Sequence, residues 1–127
     1  MSKRIIISKN APAPIGPYSQ AVRTGNMLFL SGQIALDPTT GELHIENLDV
    51  ETELVMKNIG AILAEEGLDY SHIVKSSIFL SDMGNFSKVN EIYGKYFDEN
   101  PPARETVEVA CLPKNVNVEI SVIAVAP

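Results

Sequence analysis

Short apolar runs bounded by polar and turn-forming residues recur along the first part of the chain, and such runs are typical of β-strands. The runs within residues 3–8, 21–23 and 27–31 predict three strands, and the third is apolar on both faces. Between the first two strands lies a proline- and glycine-rich segment at residues 10–20, which excludes regular structure there. Gly25 predicts a hairpin turn between the second strand and the third.

Two segments in the middle of the chain change to a period of about 3.6 residues and predict α-helices. The first helix has Asp49 as its N-cap and Gly67 just past its end, with Glu51 on its polar side. A fourth strand at residues 73–80 follows, and the second helix then ends near residue 98. The apolar stripes are Val55, Ile59, Ile62 and Leu63 in the first helix and Phe86, Val89, Tyr93, Tyr96 and Phe97 in the second.

Residues 101–126 predict two further strands joined by a short connector at residues 112–115. The last strand alternates, and its inward face consists of Val118, Ile120 and Val122. Towards its end the same strand is apolar on both faces, which indicates that both faces are covered.

The order of these elements predicts an α+β fold, with a mixed, mostly antiparallel six-stranded sheet and two helices on one face. The chain offers no further element to cover the second face of the sheet. The pattern therefore predicts a homo-oligomer that packs sheet against sheet. Since the chain has 127 residues, we expect residues 1–127 to form a single domain.

Composition then excludes several classes of protein. Cys111 is the single cysteine, so no internal disulfide forms. We find no signal peptide and no apolar run long enough to span a bilayer, and we expect a cytoplasmic protein with no membrane partner. The net charge of −6 argues against a nucleic-acid partner. His44 and His72 lie in polar turns without a second ligand at metal spacing, so we expect no metal and no cofactor.

Two charged residues interrupt the apolar pattern of the C-terminal strands. Arg104 opens one strand, and Glu119 lies within the last strand. A site for a small anion needs such a pair, because a guanidinium holds a carboxylate through paired N–H donors and a glutamate handles a proton or a water. A plainer interpretation stays open, in which Arg104 is a solvated strand start and Glu119 lies on the wet face of an antiparallel sheet.

The spacing of this pair favours a site between chains. If the last two strands form a hairpin around residues 113–115, the depths of Arg104 and Glu119 along the strands differ by about 13 Å, at about 3.3 Å per residue. One small substrate could then touch both residues only in a cleft between two chains. Assembly would in that case be part of the chemistry.

Four more residues are candidates for a site, each with an ordinary alternative. Tyr18 either contacts a ligand from its rigid loop or caps the edge of the core. Ser31 and Gly32 mark either a β-bulge or a point where a ligand approaches the backbone. Asn90, beside the aromatic stripe of the second helix, either satisfies a strand-end carbonyl or contacts a ligand.

Five segments of the chain resemble the Rid family of reactive-intermediate deaminases, also called the YjgF family, and look most like its RidA subgroup. These segments are IGPYSQAV, LFLSGQIALDP, IVKSSIFLSDM, FSKVNEIY and PPARETVEVACLPKNVNVEISVIA. The resemblance covers nearly the whole chain. It implies a chorismate-mutase-like fold and a homotrimer with three ligand clefts between subunits.

The activity that the resemblance implies is hydrolysis of 2-imino acids and their enamine tautomers to 2-oxo acids and ammonia. The implied substrates are 2-iminobutanoate and 2-iminopropanoate, and no cofactor is implied. By motif, Arg104 would grip the substrate carboxylate and Glu119 would position or activate water. The pocket would be lined by Tyr18, Ser31, Gly32, Asn90 and Thr106.

One position departs from the family pattern. Thr106 stands where many relatives have a cysteine, so a thiol-dependent role does not extend to this chain, although threonine still offers a hydroxyl. A second class of function also stays open, in which the trimer senses 2-oxo acids or binds another protein in a chaperone-like way without turnover.

Overall fold

The computed structural model describes residues 2–127 and contains two α-helices and one six-stranded sheet. In chain order the elements are β1 (Arg4–Ile6), β2 (Ala21–Thr24), β3 (Met27–Gln33), α1 (Leu48–Ala64), β4 (Ile73–Leu80), α2 (Phe86–Gly94), β5 (Ala103–Glu108) and β6 (Val118–Val125). The predicted order of three strands, helix, strand, helix and two strands is confirmed, and so is the α+β class.

Strand order across the sheet is β1-β2-β3-β6-β4-β5. β4 and β5 run parallel, and all other neighbours run antiparallel, so the sheet is mixed and mostly antiparallel as predicted. The expected hairpin of the last two strands is wrong, because β4 lies between β5 and β6. α2 provides the crossover that parallel β4 and β5 require, and the chain after β5 then passes the end of β4 to reach β6.

The two faces of the sheet differ in burial. In β6, Val118, Ile120, Val122 and Ala124 are buried in the core, and the residues between them are only partly buried. This confirms the predicted inward face. The other side is the open face, and its residues include Met27, Phe29, Lys75, Ser77, Phe79, Glu105, Val107, Glu119, Ser121, Ile123 and Val125.

α1 supplies much of the core, and its predicted stripe is fully buried. The helix begins two residues earlier than predicted, since Asn47 rather than Asp49 is the N-cap and its side chain accepts the N–H of Val50. Its end is as predicted: Gly67 has a φ of 70° and donates its N–H to the carbonyl of Ala64. Glycine adopts this left-handed conformation without steric cost.

Glu51 is the clearest error in the predicted polar side of α1, because it is fully buried. Its carboxylate accepts the backbone N–H of Asn117 at 2.7 Å and the Nδ2 amide of the same residue at 2.7 Å. A third bond comes from the N–H of Val118 at 3.3 Å. A buried carboxylate with these donors is satisfied, and it fixes the start of β6 against α1.

α2 is shorter than predicted and ends at Gly94 instead of near residue 98. Tyr96 and Phe97 still pack inward beyond the helix, and the ring of Tyr96 lies 4.9 Å from that of Tyr70. The aromatic stripe therefore continues as packing after the helical backbone has ended.

An ion cluster ties the first two strands to the end of α1. Glu66 accepts hydrogen bonds from both Arg4 and Arg23, with Nη1 of each arginine 2.9 Å from a carboxylate oxygen. The hydrogen bond from Arg4, followed by that from Arg23 and by the two positive charges, lowers the pKa of the Glu66 carboxyl. β1 and β2 are thus joined to the helix layer by charge as well as by packing.

Candidate functional site

A cavity of about 410 Å³ opens where the proline-rich loop, the end of β3 and the start of β6 meet. Four of the sequence-predicted site residues line it: Tyr18, Ser31, Gly32 and Glu119. Most of the remaining lining is apolar or neutral and includes Pro12, Ile15, Ile34, Leu36 and Pro113. The cavity therefore offers one carboxylate in largely apolar surroundings.

Glu119 and Gly32 are packed directly against each other in this cavity. A Cβ built on Gly32 would lie 2.2 Å from Oε2 of Glu119, so any other residue at position 32 would require the Glu119 carboxylate to move. The pairing of β3 with β6 shifts register between Leu30 and Gln33, which agrees with the predicted irregularity at Ser31 and Gly32. Burial raises the pKa of the Glu119 carboxyl above its usual range.

Gln20 holds the proline-rich loop that forms one wall of the cavity. Its side chain is 3% exposed and accepts the N–H of Ser8 at 2.6 Å. The amide nitrogen donates to three backbone carbonyls, those of Ser8, Ala11 and Pro12, at 2.8–3.2 Å. One side chain thus satisfies several backbone groups of a segment that cannot form regular structure.

This role of Gln20 was missed by the sequence analysis. The sequence did contain an indication of it: Gln20 ends a proline-rich segment, and the backbone carbonyls of such a segment need donors from other parts of the chain. Tyr18 follows the held part of the loop and is half exposed at the cavity. Ser31 is fixed from the opposite side, since its hydroxyl donates to the carbonyl of Ser19 at 2.6 Å.

Arg104 and Asn90 form a second group, away from this cavity. Nη1 of Arg104 donates to Oδ1 of Asn90 at 2.7 Å. The guanidinium also lies over two rings, 5.4 Å from the centroid of Tyr93 and 5.6 Å from that of Phe86. Aromatic faces attract a guanidinium and hold it in a fixed orientation. The hydrogen bond that the structure gives Asn90 is therefore to Arg104 and not to a strand-end carbonyl. Asn90 is exposed on α2, and Arg104 is exposed on the edge strand β5.

The ring of Tyr93 is itself held in place beneath Arg104. Its hydroxyl donates to Oγ of Ser76 at 2.8 Å, and burial raises its pKa. Ser76 is the neighbour of Arg104 across the β4–β5 ladder. The guanidinium thus rests on a ring that the sheet fixes.

Thr106 lies two residues after Arg104 on the same face of β5. Its hydroxyl oxygen is shielded from solvent and has no hydrogen-bond partner among the residues that the structure describes. An unsatisfied hydroxyl of this kind costs free energy in the single chain.

The two groups lie on opposite faces of the sheet. Glu119 is opposite Phe79 on the open face, whereas Arg104 is opposite Ser76 on the helix-covered face. Three residues along the strands and two strand spacings across them separate their Cα atoms by about 14 Å. The hairpin assumed for the sequence estimate is wrong, and yet the conclusion is unchanged: one chain does not bring these two charges to one small molecule.

Both histidines have partners in turns. Nε2 of His44 lies 3.2 Å from Asp37, and Nδ1 of His72 accepts the N–H of Asp69 at 3.0 Å as part of a capping box. Within residues 2–127, no three metal-ligating side chains come together. None of the helices described is long and apolar enough to cross a membrane.

Lys114 is a further residue of the cavity that the sequence analysis did not single out. It lies in the turn before β6, where Lys114 and Asn115 both have a positive φ, of 55° and 57°. The signal in the sequence was weak, because Asn115 alone belongs to a residue type that tolerates this conformation.

Three comparisons place the chain among known proteins. A family model described as Endoribonuclease L-PSP matches residues 8–126. Protein DfrA of Myxococcus xanthus is 52% identical over 128 residues, covering 99% of this chain and 98% of that protein. Reactive Intermediate Deaminase A, chloroplastic, of Arabidopsis thaliana is 48% identical over 124 residues, covering 98% of this chain and 66% of that protein.

A similar fold is found in the crystal structure of TdcF from E. coli with bound serine. The TM-score is 0.93 at 40% identity, and the match covers 98% of this chain and 99% of that chain. At this level of identity the likeness extends beyond the fold to the sequence itself.

Proposed function

The chain belongs to the Rid family, and from this membership we propose that it hydrolyses 2-imino acids and their enamine tautomers to 2-oxo acids and ammonia. The observation that carries the proposal is Glu119, a partly buried carboxylate with a raised pKa in a cavity sized for a small molecule. A carboxylate whose pKa lies closer to neutrality exchanges protons with water and substrate more readily than an ordinary surface glutamate.

The substrates proposed are 2-iminobutanoate and 2-iminopropanoate, which each carry one carboxylate. Their size fits the cavity, and the bound serine of TdcF is a molecule of the same class, a small acid with nitrogen on the 2-carbon. Imines hydrolyse in water without a catalyst. The enzyme therefore needs to orient the substrate and to manage protons, and general acid–base catalysis of this kind contributes about 10² to 10⁴ in rate.

In the proposed reaction, Arg104 forms paired hydrogen bonds with the substrate carboxylate, and Glu119 orients a water molecule towards the imine carbon. The water adds to this carbon while Glu119 accepts one of its protons. Glu119 passes this proton to the nitrogen, which gives a carbinolamine. Glu119 then moves the hydroxyl proton of the carbinolamine to the same nitrogen, so that the C–N bond breaks as the C=O bond forms, and ammonia and the 2-oxo acid are released. Tyr18, Ser31, Gly32, Asn90 and Thr106 are proposed to line the pocket.

We further propose that the protein works as a homotrimer, in which Arg104 of one subunit completes the cavity that holds Glu119 of the next. The open face supports assembly, because it exposes large apolar side chains: Phe29 is 42% exposed, Val107 41% and Met27 37%. The position of Arg104 at the edge of the sheet, on the face away from Glu119, also favours a site shared by two chains. The cytoplasm stays the predicted location.

The test of the function is to generate 2-iminobutanoate from threonine with a dehydratase and to follow the release of 2-oxobutanoate. We expect the protein to accelerate this release. Arg104→Ala should abolish the acceleration and Arg104→Lys should remove most of it, since lysine does not present a planar fork. Glu119→Gln should bind 2-oxobutanoate and lose turnover.

Two results would contradict these assignments. Normal turnover by Arg104→Ala would mean that the arginine is not the anchor. If the wild-type protein binds 2-oxobutanoate and gives no acceleration, the 2-oxo-acid sensor replaces the enzyme as the better hypothesis.

The shared site has its own test, which is to mix the two inactive variants. When Arg104→Ala and Glu119→Gln chains are co-expressed in equal amounts, about one quarter of the clefts should pair an intact arginine with an intact glutamate. About one quarter of wild-type activity should therefore return. A site within one chain would give no recovery, because every chain in the mixture lacks one of the two groups.

A further inference from the structure

The turn between β5 and β6 holds its backbone in a strained conformation beside the cavity. Lys114 has a φ of 55° and Asn115 a φ of 57°. L-residues rarely adopt these angles, and asparagine tolerates them far better than lysine does. The turn is clamped on both sides by buried residues, since Leu112 is 7% exposed and Val116 is 1% exposed. Strain of this kind persists where the surrounding structure enforces it, and it is concentrated at functional sites.

The charge of Lys114 stands out in its surroundings. Among the described residues that line the cavity, Lys114 is the one cation and Glu119 the one anion. Lys114 is exposed, whereas Glu119 is partly buried. The chain as a whole carries a net charge of −6, which repels an anionic molecule that approaches from solution.

We propose that Lys114 is an entrance residue that attracts the carboxylate of an incoming 2-imino or 2-oxo acid and directs it into the cavity. The inference rests on the proposed function for the identity of the anion. A flexible ammonium acts as a point charge and does not fix the orientation of a carboxylate as a guanidinium does. Lys114 therefore assists capture, and Arg104 remains the proposed anchor.

Because Lys114 does not touch the reacting atoms, loss of its charge should lower kcat/KM and weaken ligand binding, and kcat should stay unchanged. The effect should also depend on salt. The interaction of an exposed charge with a ligand several ångströms away is screened when the Debye length falls from about 20 Å to about 4 Å, between about 20 mM and about 500 mM NaCl.

The experiment measures the binding of 2-oxobutanoate by calorimetry at these two salt concentrations, and kcat and KM for 2-iminobutanoate at the lower one. Lys114→Gln should weaken binding about three- to ten-fold in low salt and match the wild type in high salt. Lys114→Arg should retain the wild-type affinity, since it keeps the charge. Lys57→Gln is the control, because Lys57 is exposed on α1 and its loss changes the net charge equally.

Lys114→Gly separates charge from backbone strain. Glycine adopts the left-handed conformation without penalty, so this variant should bind as weakly as Lys114→Gln and melt at a higher temperature than the wild type. If it gains stability and keeps full affinity, the lysine has no part in capture.

Three further results overturn the proposal: equal affinities of Lys114→Gln and the wild type in low salt, an equal loss in Lys57→Gln, or a wild type that does not bind 2-oxobutanoate. Failure of the proposed enzyme activity looks different. In that case 2-oxobutanoate still binds in a Lys114-dependent and salt-dependent way, and the wild type does not accelerate the hydrolysis of the imine.

Discussion

The carboxylate of Glu119 occupies the space that a side chain on residue 32 would need, with Oε2 of Glu119 2.2 Å from the position of a Cβ on Gly32. We therefore expect Gly32→Ala to displace the carboxylate and to lower kcat for 2-iminobutanoate about 100-fold or more. Gly94→Ala is the matched control, because no atom lies within 4 Å of a Cβ there. Steady-state kinetics and thermal melts of the two variants test this. Full activity of Gly32→Ala would show that turnover does not depend on the exact position of the Glu119 carboxylate.

The raised pKa of Glu119 predicts how activity depends on pH. A base acts only when it is ionised, so kcat should fall as the pH drops through a pKa that burial has moved above the ordinary glutamate value of about 4.3. A pH–rate profile measures this. In Glu119→Gln this fall of kcat at low pH should be absent. If the fall persists in that variant, another group is responsible for it.

The raised pKa of Glu119 also predicts how Glu119→Gln changes the free energy of unfolding. Since the folded-state pKa lies above the unfolded-state pKa, the ionised carboxylate of Glu119 destabilises the fold at neutral pH. Glu119→Gln should then unfold at a higher urea concentration than the wild type at pH 7. The gain should disappear as the pH falls below the unfolded-state pKa, because both proteins are then neutral at this position.

Gln20 should be far more sensitive to substitution than Gln33, the other buried glutamine of the chain. Gln20→Ala leaves an N–H and three carbonyls of the proline-rich loop without their side-chain partner, and should cost about 2–4 kcal/mol in the free energy of unfolding. Gln33 is buried to a similar extent and donates one hydrogen bond, to the carbonyl of Ser31 at 3.3 Å. Gln33→Ala should therefore cost less, and urea titrations of the two variants compare them directly.

The Arg4–Glu66–Arg23 cluster should make the free energy of unfolding depend on pH in the acid range. The lowered pKa of Glu66 means that its contribution is complete above the unfolded-state pKa of about 4.3 and is lost as the pH falls through the folded-state value. Glu66→Gln should thus be less stable than the wild type at pH 7, with a difference that shrinks towards pH 3. Urea midpoints at several pH values measure this difference, and Glu65→Gln, which removes an exposed carboxyl outside the cluster, is the control.

The open face should be the surface through which copies of the chain associate. Phe29→Asp places a charge in its apolar centre, and we expect this variant to run as a single chain in sedimentation experiments and to lose imine hydrolysis. Val50→Asp is the control, since Val50 is 40% exposed on α1, against 42% for Phe29 on the sheet. An unchanged oligomer of Phe29→Asp would remove the open face as the interface.

Local patterns in the sequence predicted the elements of this fold and the faces that they bury. The alternation of β6 and the period of α1 correctly identified Val118, Ile120, Val55 and Ile59 as core. These features are local, since a side chain's direction follows from its place in a strand or helix. The C-terminal Gly67 of the first helix was recognisable for the same reason.

Pairings between distant segments were beyond such reasoning. The connector at residues 112–115 has the composition of a hairpin turn, but which strands pair depends on the crossover through α2, which brings β4 between β5 and β6. The burial of Glu51 was not predicted for a related reason. A buried glutamate needs hydrogen-bond donors, and here the donors are Asn117 and Val118, which are distant in sequence.

The predicted site residues form two separate groups in the structure. Tyr18, Ser31, Gly32 and Glu119 meet at one cavity, although Tyr18 is far from Glu119 in sequence. Arg104 and Asn90 form their own contact elsewhere. The residue patterns had already singled out all of these residues, and the motif resemblance added their roles. The contributions of Gln20 and Lys114 needed coordinates, because a buried amide and a left-handed turn leave little trace in a single sequence.

The strand order also bears on how the protein behaves when it is crowded. A β-sheet with free borders can recruit strands from other molecules and grow into fibrils. Here one border is β1, only three residues long, and the other is β5, which carries Arg104, Glu105 and Glu108. A very short strand and a charged strand are poor templates for further growth, so this architecture favours discrete particles over aggregates at high concentration.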